Sequence, residues 1–524
     1  MSPVRRELVE GRACGPVAAL LAILALAACN DRARTSAQHR TLTIAVHDGE
    51  GGPLVPARVI FLDGDAPVRF GHLDFNGGKR QVAGVCTLGP GVLAGWHGLM
   101  LAHGSGEVPI GGGDGCAPTP ALPAGRYQVW AWRGFEYDLW QGEVAVTADA
   151  DARLDIALVR AFDPGSALAA DLHVHAVASN DSSVPLRVRA ITQAVTGVRV
   201  SALSDHASSG DLDQAILDED LAPWLASIAS NEAGNDVAHY GVYPVPVDRS
   251  APRGGSPDVP TMSRWTPAQA MAWGHALPGR PVVQVNHPRF RVYALFDNAG
   301  WDGVTWPPPF PLDFDAVEVL AGHTAFNLDG DRRIDEGVRD FYTMIGHGFW
   351  PTGVGTSDVH HLSGVLDGVA RTYVFVDDPR TQPFDEAAFI AAIRARRALA
   401  TTGPWLDVEV AAVGGTASAG PGQTVHAPGG QVTVDIELAQ ASFVHADHIR
   451  VLVGGEVVRT EPVPDGARRH RLTLTVPVTP PTWIGVDAGG DTPLPIELTG
   501  TYQLEKGRKG VTPFAIINPI RVEP

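Results

Sequence analysis

Cysteine is scarce in this chain: four occur in 524 residues, Cys14, Cys29, Cys86 and Cys116. None has zinc-finger spacing, so a Cys-based structural metal site is excluded. Cationic side chains are outnumbered, 40 Lys plus Arg against 58 Asp plus Glu, leaving a formal charge of −18. Phosphate backbones are bound by basic patches, so this balance argues against a nucleic-acid partner. Beyond the first thirty residues no apolar run is long enough to span a bilayer. The 59 Gly and 42 Pro follow no period, which excludes collagen and favours a turn-rich chain. What is present is a globular composition, 44% hydrophobic, and a length that accommodates two to four domains of ~100–200 residues.

Arg5, Arg6 and Arg12 precede a short apolar stretch from Pro16 to Ala28. A basic start before a short apolar core reads as a secretory signal over residues 1–29. Its end, Leu26-Ala27-Ala28-Cys29, resembles a bacterial lipobox, in which the Cys becomes the lipidated first residue of the mature protein. The alternative is a small-residue cleavage site with an incidental Cys. The lipobox reading predicts an exported lipoprotein of the cell envelope, held to a membrane by lipid on Cys29 at the periplasmic or outer surface. Cys86 and Cys116 are then left as a disulfide or as two buried thiols.

After a polar tether, residues 41–162 carry short alternating runs separated by Gly/Pro/Asp clusters. Leu42, Ile44 and Val46 alternate with Thr41, Thr43 and Ala45, and the pattern predicts a small β-sandwich. Leu122-Pro123-Ala124-Gly125-Arg126-Tyr127 resembles the turn into a strand of transthyretin-like or carboxypeptidase-regulatory domains. From 165 to 404 strand-like runs alternate with helical ones. The helices are expected after Ser183-Val184-Pro185 as far as Val195, from Thr266-Pro267, over Asp335–Met344 and over Asp385–Leu399. This βα alternation predicts a parallel sheet or barrel. From 405 to 524 alternation returns, as in Val432, Val434, Ile436 and Leu438, and predicts a second β-sandwich.

Ten of the 19 His fall in the central segment. His173 and His175 alternate along a predicted strand, so one face presents both to one cation. Four further segments place His or carboxylate where a strand gives way to a loop: Ser204-Asp205-His206, Ser230-Asn231-Glu232 with His239 beyond, Asn286-His287-Pro288-Arg289, and Ser357-Asp358-Val359-His360. In a β/α barrel such loops gather on one face. Imidazoles and carboxylates crowded there are costly without a cation to share them.

His-x-His, Ser-Asp-His, a lone Glu, Asn-His-Pro and Ser-Asp-x-His, in that order, resemble the polymerase-and-histidinol-phosphatase (PHP) domain. The run Asp171 to His175 followed by Asp181-Ser182-Ser183-Val184-Pro185 is similar to the carbaryl-hydrolase-like (CehA/McbA) branch, and the ending Gly510-Val511-Thr512-Pro513-Phe514-Ala515 also fits it. The resemblance implies a multidomain protein with a central α/β, distorted (β/α)7 barrel flanked by N-terminal and C-terminal all-β sandwiches. It implies two to three divalent ions (Zn, Mn or Fe) held by His173, His175, Asp181, His206, Glu232, His239, His287, Asp358 and His360. Arg289 is expected to bind an anionic group or a developing oxyanion, with a salt bridge as the alternative. Asp205 is expected to orient His206 or a neighbour, and His361 to flank the pocket or lie exposed. The implied enzyme is a metal-dependent hydrolase acting on a small-molecule substrate, cutting an ester, carbamate or amide bond with a metal-bridging hydroxide. A phosphoesterase is the alternative, and a non-catalytic surface binding lipoprotein is the rival of another class.

Two weaker signals complete the reading. Asn327-Leu328-Asp329-Gly330-Asp331 half-resembles a calcium loop, but Arg332 and Val338 stand where that loop needs its Gly and its bidentate carboxylate. Trp301, Trp306 and Pro307-Pro308-Pro309 form an aromatic insertion, read as a rigid surface loop or the wall of an apolar pocket.

Overall fold

A computed structural model describes residues 40–70, 74–76, 79–81, 86–95, 98–111, 121–289, 292–322, 333–362, 365–379, 383–500 and 510–524. The stretch read as a secretory signal, Cys29, Cys116 and the calcium-like turn Asn327–Asp331 lie outside the described residues. Cys86 is disulfide-bonded.

The chain is multidomain and rich in strand. In the N-terminal segment, a three-stranded sheet (Ala152–Leu158, Arg40–Asp48, Ser105–Ile110) faces a seven-stranded one built around Ala57–Asp63 and Gly125–Trp132. Leu42, Ile44 and Val46 are buried between them with Val59, Phe61 and Val129. Burial of alternate apolar side chains from both sheets drives this pairing, since one-residue slippage would turn every one outward.

We number the strands of the central segment from β1. One sheet contains β1 (Ala167–Val174), β2 (Val200–Leu203) and β3 (Ala226–Ala229) in parallel, and it continues on the other side of β1 with antiparallel β9 (Arg371–Phe375) and β10 (Ala398–Thr401). A second sheet runs β4 (Asn231–Gly234), β5 (His239–Tyr243), β6 (Val282–Val285), β7 (Ala316–Ala321) and β8 (Thr352–Thr356). The near-continuous apolar runs of β6 and β7 are fully buried, as strands covered on both faces must be. Helices α1 (Leu186–Val195), α2 (Pro267–Ala276), α3 (Arg333–Gly346) and α4 (Glu386–Arg394) pack alongside. Thr266 and Gln269 form a capping box on α2, and Asp385 caps α4.

The expected bounds of one helix need correction, and two features of the sheets go beyond the sequence pattern. Among the described residues no closed barrel forms: the ladder splits into two sheets. Among the described residues they meet at isolated bridges, His206 with Glu232, Gly210 with Ser230, and Val174 with Val359, and through the Thr372 hydroxyl of β9, which bonds the N (2.9 Å) and carbonyl (2.8 Å) of Gly355 on β8. The helix foreseen over Asp385–Leu399 stops at Arg394, because Arg396 turns left-handed (φ 62°) and Ala398–Thr401 enters the sheet. Finally, the sheet does not break at residue 404. Strand β10 pairs onward with Phe514–Ile517, which pairs with Thr482–Gly489, so eleven strands form one sheet across the central and C-terminal segments. A four-stranded sheet around Trp405–Ala412 and Gln431–Ala439 packs over it, with Val432, Val434, Ile436 and Leu438 buried as their alternation requires. One apolar cluster joins Trp132, Phe162, Tyr373, Trp405 and Leu438 from all three segments.

Asn518 shows how the C-terminal end supports the centre. Its amide donates to the carbonyls of Gly353 (2.9 Å) and Ala398 (3.0 Å), and its oxygen accepts from Gly353 N (2.8 Å). Replacing it with the similarly sized Leu strands the buried N–H and carbonyl of Gly353 on β8, while the Ala398 carbonyl keeps the backbone N–H of residue 518 (3.1 Å). Asn518→Leu should lower unfolding stability by about 3 kcal/mol, read as a shift in the urea midpoint.

Candidate metal centre

All nine side chains singled out as ligands converge. Glu232, on β4, is the hub and is buried. Its Oε1 lies 3.0 Å from Nε2 of His173, 3.2 Å from Nδ1 of His239 and 3.4 Å from Nε2 of His287. Its Oε2 lies 2.7 Å from Nδ1 of His206 and 3.5 Å from Nε2 of His175. Nε2 of His173 and of His175 are 3.0 Å apart, and each is 3.2 Å from Oδ1 of Asp358. Asp181 stands at the open side, its Oδ2 3.1 Å from Nε2 of His206 and 3.3 Å from Nε2 of His360.

These atoms form four overlapping groups able to hold a cation: His175, Asp181, His206 and His360; His173, His175 and Asp358; His173, Glu232 and His287; His206, Glu232 and His239. The donors fit divalent ions. Oε2 of Glu232 and Nδ1 of His239 are buried and make no hydrogen bond among the described residues, although charged or polar neighbours stand within 3.2 Å of each. Lone pairs aimed at one point without donors between them are costly unless a cation is shared.

Local backbone sets these directions. Strand alternation puts His173 and His175 on one face of β1's end. His287 (φ 29°) and Asp358 (φ 51°) adopt left-handed backbone, which is strained for residues with a Cβ and marks places where the surroundings dictate conformation. Gly234 leaves room for a ligand: a Cβ there would come within 2.9 Å of the His239 ring.

Several contributors were not foreseen. Glu318, in the middle of the apolar β7, accepts from Nδ1 of His173 (2.7 Å), from the backbone N of His287 (2.5 Å) and from Thr356 Oγ1 (2.8 Å). With Nδ1–H donated to Glu318, Nε2 of His173 turns its lone pair to the cluster, the carboxylate–imidazole arrangement that orients metal ligands. A lone carboxylate inside Ala316-Val317-Glu318-Val319-Leu320 was the available signal. Ser179 Oγ lies 3.0 Å from Nδ1 of His175 and donates to Asp181. Asn286 donates to Glu232 (2.9 Å). Tyr293 stacks on His239 with ring centres 4.6 Å apart.

Arg289 is not where an oxyanion-binding residue belongs. Its guanidinium donates to Asp340 (2.6 Å), Asp297 (3.2 Å) and the Trp301 carbonyl (2.8 Å), so the salt-bridge alternative describes it. The reason is that α3 brings Asp340 beneath the Asn-His-Pro-Arg turn. Trp301 is buried against Phe296 and Phe310 and belongs to that packing. Asp205 accepts from the backbone N of Ala176 (2.6 Å), fastening the residue after His175, and burial pushes its pKa up to about 6. His361 flanks His360, ring centres 6.2 Å apart.

A cavity of about 310 Å³ opens beside the cluster, lined by Asp181, His206, Glu232 and His239 together with Asn180, Asn235, Asp236, Val259, Ser263 and Tyr293. Among the described residues no Lys or Arg lines it.

The charge balance is set by burial against the carboxylates. Burial opposes a charged His173 or His206, but Asp358 and Glu232 outweigh it for the first, and Glu232 and Asp181 for the second, raising both well above the usual histidine range. His287 and His360 are raised in the same way. His175 is pushed well down by burial and by His360. Burial works against the Glu232 carboxylate too, yet His239, His173 and His206 hold it far below its usual value.

No protein-family model matches this chain, and no curated protein matches it.

Two predictions follow from the geometry. A raised imidazole pKa means that protons occupy His173, His206, His287 and His360 above the pH at which free histidine loses them, so a cation must displace protons. Mn²⁺ binding followed calorimetrically in buffers of different ionisation enthalpy should release protons, and apparent affinity should rise at least about tenfold from about pH 6 to about pH 8.5. Glu318→Ala, which removes the acceptor for His173 Nδ1–H, should weaken Mn²⁺ binding about 10–100-fold by titration.

Proposed function

We propose that this chain is a metal-dependent hydrolase of an uncharged carbonyl compound, an ester, carbamate or amide. The observation that carries the reading is the convergence of six imidazoles and three carboxylates, from five separate stretches of chain, around Glu232. In this reading two to three divalent ions of the Zn, Mn or Fe class would be held by Glu232 together with the other eight side chains. When bound, such ions supply hydroxide near neutral pH and polarise the scissile group.

The remaining work belongs to the chain's own residues. Glu318 and Ser179 fix the ring orientation of His173 and His175. Asn235, Ser263 and Tyr293 offer hydrogen-bonding groups to a substrate in the cavity, and Val259 offers an apolar surface. The two central sheets, joined at the His206–Glu232 and Val174–Val359 bridges, act as the walls of an incompletely closed β/α barrel, the finer form of fold that the PHP-like motif order implies. The same motif order supports kinship with the carbaryl-hydrolase-like branch. The N-terminal sequence supports export and a lipid anchor on Cys29.

Electrostatics favour a carbonyl over a phosphoester substrate. The cavity is bounded by Asp181, Glu232 and Asp236, and the nearby cation, Arg289, is engaged by Asp340 and Asp297. Among the described residues a dianionic phosphate would meet no Lys or Arg in the cavity wall, and three carboxylates would oppose it.

The test is a panel of aryl esters, aryl carbamates, anilides, phosphomonoesters and phosphodiesters, assayed before chelation, after chelation and after addition of Mn²⁺ or Zn²⁺. Turnover of the uncharged carbonyl substrates should disappear with chelator and return with metal, and Glu232→Gln should show neither. Full activity after thorough metal removal would overturn the reading. Turnover confined to phosphoesters would favour the phosphoesterase, and tight metal binding without any turnover the non-catalytic binding protein.

A further inference from the structure

Helix α1 buries a polar face. Arg189, Thr192 and Gln193 are all fully inaccessible to solvent, beside the apolar Ile191, Ala194 and Val195. A buried guanidinium needs a reason, since an apolar side chain of similar volume would fill the space without loss of hydration.

The reason lies in where the fork of Arg189 points. Nε donates to the carbonyl of His175 (2.9 Å), Nη2 to the carbonyl of Val359 (3.4 Å) and Nη1 to Asp367 (2.8 Å). His175 is a candidate ligand at the end of β1, and Val359 sits between the candidate ligands Asp358 and His360. One side chain therefore joins the backbones of the two ligand-bearing segments. Regular ladder pairing is missing at this junction: the segments share the isolated Val174–Val359 bridge, and Asp358 holds a left-handed backbone. Asp367 keeps the guanidinium in place and also accepts from Thr192 (2.9 Å) and Gln193 (3.0 Å). Gln193 reaches Asp171 as well (3.3 Å), and Asp171 accepts from the backbone N (2.9 Å) and hydroxyl (2.6 Å) of Ser357, the residue before Asp358.

We propose that Arg189 is a positioning residue of the metal centre: it sets the spacing between the strand end carrying His173 and His175 and the loop carrying Asp358 and His360. The proposal rests on the metal-centre reading above. Lysine cannot replace it, because a single ammonium has no planar fork to reach two carbonyls and a carboxylate together.

Two variants of the full chain test it. Arg189→Lys keeps a positive charge for Asp367 but loses the fork. The double variant Arg189→Met with Asp367→Leu removes both members of the pair at once. Each is stripped of metal, checked for folding by circular dichroism and urea midpoint, and titrated with Mn²⁺, with bound metal per chain measured after dialysis. The expected result is a folded double variant with a midpoint near that of the wild type and Mn²⁺ affinity lowered about 10–100-fold, with Arg189→Lys lowered less. A purely structural role would move the midpoint and leave affinity unchanged in whatever folds. Wild-type affinity and stoichiometry in a folded variant would overturn the proposal. If the double variant does not fold, Arg189→Lys decides by the same criterion. A wild-type chain that binds no divalent ion removes the metal-centre reading and this proposal with it. Wild-type binding with unaltered variants removes only the role of Arg189.

Discussion

A single buried carboxylate organises this protein. Glu232 is buried and has five imidazoles within 3.5 Å. Such a group stays ionised only if positive charge surrounds it, supplied either by protons on the histidines or by cations between them. The raised pKa values of His173 and His206 and the depressed one of Glu232 are two views of that balance. Much of the central segment serves to hold the imidazoles at this distance against their mutual repulsion.

The fold meets that demand by ending strands rather than by extending them. Seven of the nine side chains lie at the last residues of a strand or in the loop just after one, and the exceptions, Glu232 and His239, stand on the two strands of the β4–β5 hairpin, opposite Gly241 and Gly234. The price is irregular backbone at His287 and Asp358 and a ladder that splits into two sheets. Polar groups behind the ligands compensate: Glu318 behind His173 and His287, Asp205 behind Ala176, and the Arg189–Asp367 pair behind His175 and Val359. The flanking β-segments belong to the same body, because an apolar cluster and an eleven-stranded sheet run through the sequence boundaries without interruption.

The position of Arg289 shapes the chemistry by what it withholds. Drawn to Asp340 and Asp297, it leaves a cavity whose charged walls are acidic. Under the proposed reading, cations bound at the cluster would face a substrate across acidic walls, an arrangement suited to polarising a neutral carbonyl and poorly suited to gathering a multiply charged anion.

The sequence by itself determined the features that follow from local backbone geometry. Period-two alternation made His173 and His175 share a face and buried Val432, Val434, Ile436 and Leu438 together. A hydroxyl before Pro267 started α2, and the order of short His and carboxylate motifs marked the nine side chains that meet. Tertiary structure alone decided which partners those residues find. Glu318 reaches His173 across 145 positions, and Arg189 reaches Val359 across 170. Arg289 turned to Asp340 because α3 happens to pass there, and β10 joined the final strands instead of ending a barrel. No local pattern encodes these contacts, since their free energy exists only once distant segments have been brought out of water and against one another.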